Sequence, residues 1–484
     1  MKYLLGIDQS TQGTKALLFD EQGRLAARAD RPHRQYVDER GWVEHNPEEI
    51  FSCTLGAVRD VLETLGIAPS QVAAAGISNQ RETAMIWSRR TGKPVYNAVV
   101  WQCPRGEAIC RRLEGDAQRI QERTGLRLSP YFSAAKLAWI LENVPGVREQ
   151  KDELCCGTMD SWLLYKLTGS FKTDYSNAAR TQLFDIHRLR WDPELCALFG
   201  VPLASLAEVC GSDSLFGTSD FGGIFPSPIP IHAVLGDSNG ALFGQGCLTP
   251  GKAKATYGTG SSVMLHVGSA PVRSPDLSSS IAWGRGGRVE YVLEGNINYT
   301  GSVIGWLKNE VGLLSSNQEA HVLPLEANPA DKTYFVPAFT GLGAPYWDSG
   351  ATGMFTGISR NTGRAELVRA CVDSIAYQIT DILLLMQRRS GVGVAELKAD
   401  GGPTENRYLM QRQSDLGNVD VLVPETQELS GMGAAYAAGI ACGFYDESVL
   451  AGVRRTIFRP AMDEKTRASL YGGWQSAVRR ALTK

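Results

Sequence analysis

The chain has 484 residues, a net charge of −2 and 21% charged residues. That length suits two or three domains around a large core, and the charge balance lacks the basic excess that holds nucleic acid. No stretch approaches the roughly 18 uninterrupted apolar residues of a membrane span, and ten cysteines and six histidines at irregular spacings give neither a disulfide framework nor a zinc pattern. The apolar start of the chain stops at Asp8 with no small-residue cleavage site after it, so it does not read as a signal peptide. Reduced thiols in the cytoplasm are the simpler account.

In chain order, the first informative stretch is Leu4 to Asp20, LLGIDQSTQGTKALLFD. It reads as a strand ending in Asp8, a small polar turn, then a second strand. Ser10 to Thr14 gather hydroxyls, an amide and backbone N–H groups at one hairpin tip. Such a tip can cradle a phosphate chain beside an acid that holds Mg²⁺, and it can equally be an ordinary acidic turn. It is not the G-x-x-x-x-G-K-[ST] loop, which leads from a strand into a helix. Next, Asn46-Pro47-Glu48-Glu49 predicts a helix start with Asn46 as cap. Ile50, Val58, Val61 and Leu65 continue it until Gly66. A strand follows over 72–78.

Phe221 to Pro230, FGGIFPSPIP, is too rich in Pro and Gly for an element interior and suggests a seam. Beyond it, residues 231–246 read as a strand ending in Asp237 and a small turn. Residues 253–267 read as strand, Gly258-Thr259-Gly260 turn, strand. The second half thus reopens with the kind of hairpin that begins the first, as a duplicated, two-lobed protein with a central cleft would. The expected division is 1–245 and 246–484. A helix from about Arg364 to Arg389, free of internal Gly and Pro, carries an apolar face through Leu367, Cys371, Ile375, Ile379, Ile382 and Met386.

Several longer stretches carry a resemblance: GWVEHNPEEI (41–50), GISNQRETAMIW (76–87), YNAVVWQC (96–103), YFSAAKLAWILENV (131–144), TDYSNAARTQLFDIH (173–187), VPAFTGLGAPYWD (336–348) and ADGGPTENRYLMQRQSD (399–415). In this order they resemble the FGGY carbohydrate kinases over nearly the whole chain, and most of all the glycerol-phosphorylating branch. The resemblance implies an α/β protein of the actin-like/hexokinase-like ATPase fold, with a ribonuclease H-like duplicated core and ATP and sugar meeting in the cleft. It implies ATP and Mg²⁺, a small polyol or sugar as substrate, no nucleic acid or membrane partner, and a homodimer or homotetramer.

By the same resemblance, Thr11, Gln12, Gly13 and Lys15 face the ATP phosphates from the first half, and Thr259 and Gly301 from the second. Gly402 and Asn406 belong to the adenosine motif, and Asp8 and Asp237 hold the metal. Arg81, Glu82, Trp101, Tyr131, Ser238 and Ser262 form the polyol pocket. Asp237 is the general base: a sugar hydroxyl is a poor nucleophile near neutral pH, and a positioned carboxylate that takes its proton contributes ~10²–10⁴-fold. An Asp before Ser-Asn-Gly is otherwise ordinarily a turn cap.

Some positions depart from the glycerol-phosphorylating pattern. Ser238 stands for a Gln and Ser262 for a Phe, each change weakening glycerol by about 1 kcal/mol. Together they open room for a four- or five-carbon polyol or ketose, with glycerol itself as the alternative acceptor. Pro228 stands where an Arg grips an inhibitory sugar bisphosphate, so that inhibition is not expected. Gly305, Gln12 and Lys15 also replace other residues at the nucleotide site, and Lys15 keeps a charge without the planar fork of Arg. An actin-like ATPase without a sugar substrate is the reading from another class, and the polar pocket residues argue against it.

Overall fold

In the computed structural model, which describes residues 1–483, two mixed sheets are built to one plan. The first contains β1 (Tyr3–Gln9), β2 (Gly13–Phe19), β3 (Leu25–Pro32), β4 (Val72–Asn79), β5 (Gly217–Ser219) and β6 (Ile229–Gly236), in the order β5-β6-β4-β1-β2-β3. The second contains β7 (Lys252–Tyr257), β8 (Ser261–Gly268), β9 (Ser278–Arg285), β10 (Arg288–Ile297), β11 (Glu396–Asp400), β12 (Asp420–Pro424) and β13 (Arg455–Phe458), in the order β9-β10-β8-β7-β11-β12-β13.

In each sheet a three-stranded antiparallel meander, β1-β2-β3 or β7-β8-β10, is extended from its first strand by two parallel strands, β4 and β6 or β11 and β12. The hairpin β1–β2 therefore has its counterpart in β7–β8. The duplication expected from the sequence is real, but the strand before Asp237 does not end in a small turn: residues 231–246 are β6 followed by helix α2 (Asp237–Gly244). FGGIFPSPIP is not a seam either. It is the connection between β5 and β6 inside the first sheet, and Phe221 and Phe225 are buried in the first lobe's core. Pro and Gly mark a turn there, and nothing local distinguishes a turn within a sheet from one between lobes.

The helices that bear on the site are α1 (Pro47–Leu65), α2 (Asp237–Gly244), α3 (Gly301–Asn309), α4 (Glu319–Glu326), α5 (Arg364–Ser390), α6 (Arg407–Gly417), α7 (Leu429–Ala441) and α8 (Glu464–Ala481). Helix α1 starts as its sequence dictates: Asn46 Oδ1 accepts from the N–H groups of Glu48 and Glu49, and Gly66 closes the helix at φ 66°. Helix α5 is the principal helix of the second lobe and buries Val368, Cys371, Ile375, Ile379 and Ile382. Among the described residues no helix is long and apolar enough to cross a membrane.

Helix α7 belongs to the second half of the chain but packs on β1, β4 and β6 of the first sheet and against α2. An apolar cluster drawn from both halves, including Leu4, Leu17, Leu242, Met264, Trp283 and Met432, surrounds it. The contact is main chain on main chain. A Cβ on Gly433 would lie 1.8 Å from the Gly240 carbonyl oxygen, and one on Gly76 2.1 Å from that of Ala434. Gly433→Ala should therefore cost about 3 kcal/mol, the upper end of overpacking, read by denaturant unfolding. A loss below about 0.5 kcal/mol would mean that the helices can part.

Candidate active site

The first hairpin, expected at the phosphates, is held by its own backbone. Ser10 N–H and Oγ both donate to the Gly13 carbonyl, at 2.9 and 3.0 Å. Gly13 is required by its neighbour, since a Cβ there would sit 2.7 Å from the Arg31 carbonyl of β3. Gln12 is exposed at the tip. Thr11 is less open: its hydroxyl accepts from the Trp101 indole N–H at 2.9 Å. This bond joins a residue expected at the phosphates to one expected at the polyol. Lys15 also has a protein partner, Glu428, at 2.9 Å. Glu428 lies just before α7, is buried and also pairs with Arg28.

Asp8 sits in β1 opposite Lys15 in β2 and Ser78 in β4. Its Oδ1 is buried without a hydrogen-bond partner, as are Thr14 Oγ1 and Ser78 Oγ on the neighbouring strands. Burial pushes the Asp8 carboxyl up to about 7; Lys15 opposes this, and Asp237 and Glu428 add to it. A carboxylate penalised for want of a cation fits a Mg²⁺ ligand. Among the described residues no three His, Cys, Asp or Glu side chains cluster as a self-sufficient metal cage. Mg²⁺ is usually held by one or two carboxylates together with substrate phosphates and water.

The polyol residues converge on a buried ion cluster. β4 ends at Asn79, and Arg81 and Glu82 follow, both buried, with Glu82 in the left-handed region at φ 53°. Arg81 makes a two-pronged pair with Glu294 of β10, at 3.0 and 2.9 Å. Arg180 bridges the same acids, donating to Glu82 at 2.6 Å and to Glu294 at 3.0 Å. Burial alone would raise the Glu294 carboxyl, but the Arg180 and Arg81 guanidiniums hold it well below the usual carboxylate range. Ser262 Oγ joins the cluster, donating to Glu294 at 3.3 Å.

Asp237 opens α2 and stands at the edge of this cluster, its side chain 39% exposed and its Oδ1 3.4 Å from Arg81 Nε. The Ser238 N–H also donates to Oδ1, at 2.6 Å. Gly236 is needed immediately before it, because a Cβ there would meet the Arg81 side chain at 2.6 Å. Tyr131 packs edge-on against Trp101, ring centres 5.5 Å apart. Its turn is clamped by buried Lys136, whose Nζ donates to the carbonyls of Pro130, Tyr131 and Phe132. A cavity of about 770 Å³ opens beside Tyr131, Arg180 and Glu294.

The second-lobe residues form their own group. Gly301 N–H donates to the Gly258 carbonyl at 2.9 Å and Thr300 N–H to that of Thr259 at 2.9 Å, fastening the start of α3 to the β7–β8 turn. Gly401, at φ 95°, crosses so close to Tyr257 that a Cβ would lie 2.0 Å from its carbonyl oxygen, while Gly402 faces open space. Asn406 is buried and bonded on both sides. It caps α6 by accepting from Leu409 N–H at 3.0 Å, and its amide donates to Ala320 of α4 at 3.0 Å. It thus fixes α4 against α6 beside the turn expected at the adenosine, with its side chain turned to the protein.

Sequence reasoning missed Glu294, Arg180 and Glu428. The signal for Glu294 was an acid inside an otherwise buried strand, YVLEGNI, which must find a partner. Arg180 lay within a quoted stretch without a stated role.

With this geometry in hand, comparison with known proteins is direct. Residues 3–244 match the N-terminal domain, and residues 253–442 the C-terminal domain, of the FGGY family of carbohydrate kinases. Glycerol kinase 1 of Thermotoga maritima is 46% identical over the full length of both chains, and the glycerol kinase of Symbiobacterium thermophilum is 46% identical over 99% of this chain and 98% of its own. The crystal structure of Plasmodium falciparum glycerol kinase with ADP superposes with a TM-score of 0.94 at 34% identity, covering 100% of this chain and 99% of that one. A ligand-bound xylulose kinase from Lactobacillus acidophilus shares the fold, with a TM-score of 0.89 at 21% identity over 99% and 98% of the two chains. The architecture is the two-lobed, actin-like ATPase fold expected from the motifs, and the chain belongs to the FGGY family of carbohydrate kinases.

Proposed function

We propose that this protein transfers the γ-phosphoryl group of ATP to a hydroxyl of a small polyol, with Mg²⁺, and that the lobes divide near residue 245. The carrying observation is Asp237, partly exposed beside a buried, fully paired Arg81–Glu294–Arg180–Glu82 cluster. The four-charge cluster is a rigid polar floor on which a diol can settle. Trp101 and Tyr131 wall it, and Ser238 and Ser262 supply hydroxyls. Asp237 Oδ1 is engaged by Arg81 and Ser238, so we assign the proton of the substrate hydroxyl to Oδ2. As that proton leaves, the substrate oxygen forms its bond to the γ-phosphorus, the bond between that phosphorus and the bridging oxygen breaks, and ADP departs. Asp8 and Asp237 would hold Mg²⁺, which when bound neutralises charge on the phosphate oxygens. Thr11, Gln12, Gly13 and Lys15 on one side, and Thr259, Gly301, Gly402 and Asn406 on the other, would position the nucleotide. We place the enzyme in the cytoplasm, in keeping with its ten free thiols, as a homodimer or homotetramer.

Two acceptors compete. The names of the relatives favour glycerol. The short Ser238 and Ser262 side chains favour a four- or five-carbon polyol or ketose, and we adopt the larger substrate. A coupled ADP-release screen over glycerol, erythritol, threitol, arabinitol, xylitol, ribulose and xylulose decides between them. A highest kcat/KM for glycerol would overturn the larger acceptor while leaving the kinase reading intact.

Asp237→Asn should lower kcat by two or more decades while ATP affinity, read by equilibrium binding, changes little. Retained turnover would mean that another group takes the proton. Glu294→Gln leaves two buried guanidiniums short of charge. It should destabilise the protein by about 3–5 kcal/mol and raise KM for the polyol more than KM for ATP. Equal effects on both would mean that the cluster is only a structural tie.

A further inference from the structure

Away from the cleft, a cavity of about 610 Å³ opens in the second lobe between α5, α6, the end of α4 and the start of α8. The chemistry above uses none of its residues. Its wall carries four cations, Arg369, Arg412, Lys332 and Lys465, against two carboxylates, Asp331 and Asp373.

Both carboxylates are already engaged. Asp373 accepts from the Tyr408 hydroxyl at 2.8 Å and from Arg412 at 2.7 Å. Asp331 accepts from the Thr362 hydroxyl at 2.7 Å, the Thr333 N–H at 2.9 Å and Arg369 at 3.3 Å. The cations keep spare capacity. Arg412 gives one prong to Asp373 and keeps part of its side chain, 16% exposed, at the cavity wall. Lys332 and Lys465 are exposed and have no ion-pair partner among the described residues. A guanidinium fork suits the paired oxygens of a phosphate or carboxylate. Tyr334, Tyr377 and Tyr408 add ring surface for a carbon skeleton.

We propose that this cavity binds a small organic dianion, a phosphate monoester or a dicarboxylate, with its charged end on Arg412 and its flank on Lys332 and Lys465. The site is also well placed to be felt at the nucleotide. Its two walls, α4 and α6, are tied together by Asn406, the residue expected at the adenosine motif.

Calorimetric titration of the full-length protein with inorganic phosphate and, separately, with succinate tests this, in the absence of nucleotide and polyol. Two double variants accompany it. Lys332→Ala/Lys465→Ala removes only exposed side chains. Arg412→Gln/Asp373→Asn exchanges the buried pair together, so that no lone charge remains. At least one probe should bind. The lysine variant should weaken it by about tenfold and the buried-pair variant further, with ATP-dependent turnover within about twofold of the parent. Tighter phosphate points to phosphate esters and tighter succinate to dicarboxylates, and either supports the site. Failure of both probes to bind overturns it, as does unchanged affinity in the lysine variant. Neither result depends on which polyol the cleft accepts.

Discussion

The interaction on which the cleft depends is the buried alternation of charges Arg81, Glu294, Arg180 and Glu82. Taking four charges out of water is costly, and attraction repays it only where every prong is satisfied. Here Arg81 and Glu82 follow β4 of the first sheet, Arg180 also belongs to the first half of the chain, and Glu294 stands on β10 of the second sheet. The cluster is complete only when the two sheets meet, so the same contact that closes the floor of the cleft also sets the lobes against one another. Apolar residues of similar volume would often serve stability as well or better. What they could not supply is the fixed polar floor that the proposed acceptor site needs.

Around that floor, the remaining parts are held by protein rather than left waiting. Thr11 is tied to Trp101, Lys15 to Glu428, and Asn406 to two helices. Preorganisation of this kind limits the rearrangement needed at the moment of reaction. Asp8 is the exception: its buried oxygen has no partner and its carboxyl is pushed up by burial. Among these parts, the unsatisfied carboxyl thus stands at the position where a divalent cation would relieve it.

Much of this was legible in the sequence, and the reasons are local. Asn46 and Gly66 bound their helix because capping is decided within one turn. The hairpins at 10–13 and 258–260 follow from polar, glycine-bearing tips between apolar runs. The long helix over 364–390 follows from its period and the absence of breakers. What escaped was long-range. The partner of Arg81 was not legible, because Glu294, 213 residues away, cannot be assigned to it from spacing. The seam placed at 221–230 failed because turn residues report a reversal of direction, not which sheet the chain rejoins. Likewise α7 is an Ala- and Gly-rich helix whose destination, the other half's sheet, no periodicity announces.

That helix has a consequence for how the chain can vary over time. In an ordinary core, a bulkier residue can be accommodated by a smaller one opposite, so paired replacements drift together across a lineage. At Gly433 over Gly240, and at Gly76 beneath Ala434, the obstacle is a carbonyl oxygen, which all twenty amino acids carry. No second change elsewhere can make room. Descendants of this sequence are free to retune their acceptor, their surface and their outlying pocket, yet at this crossing they have a single letter to write with.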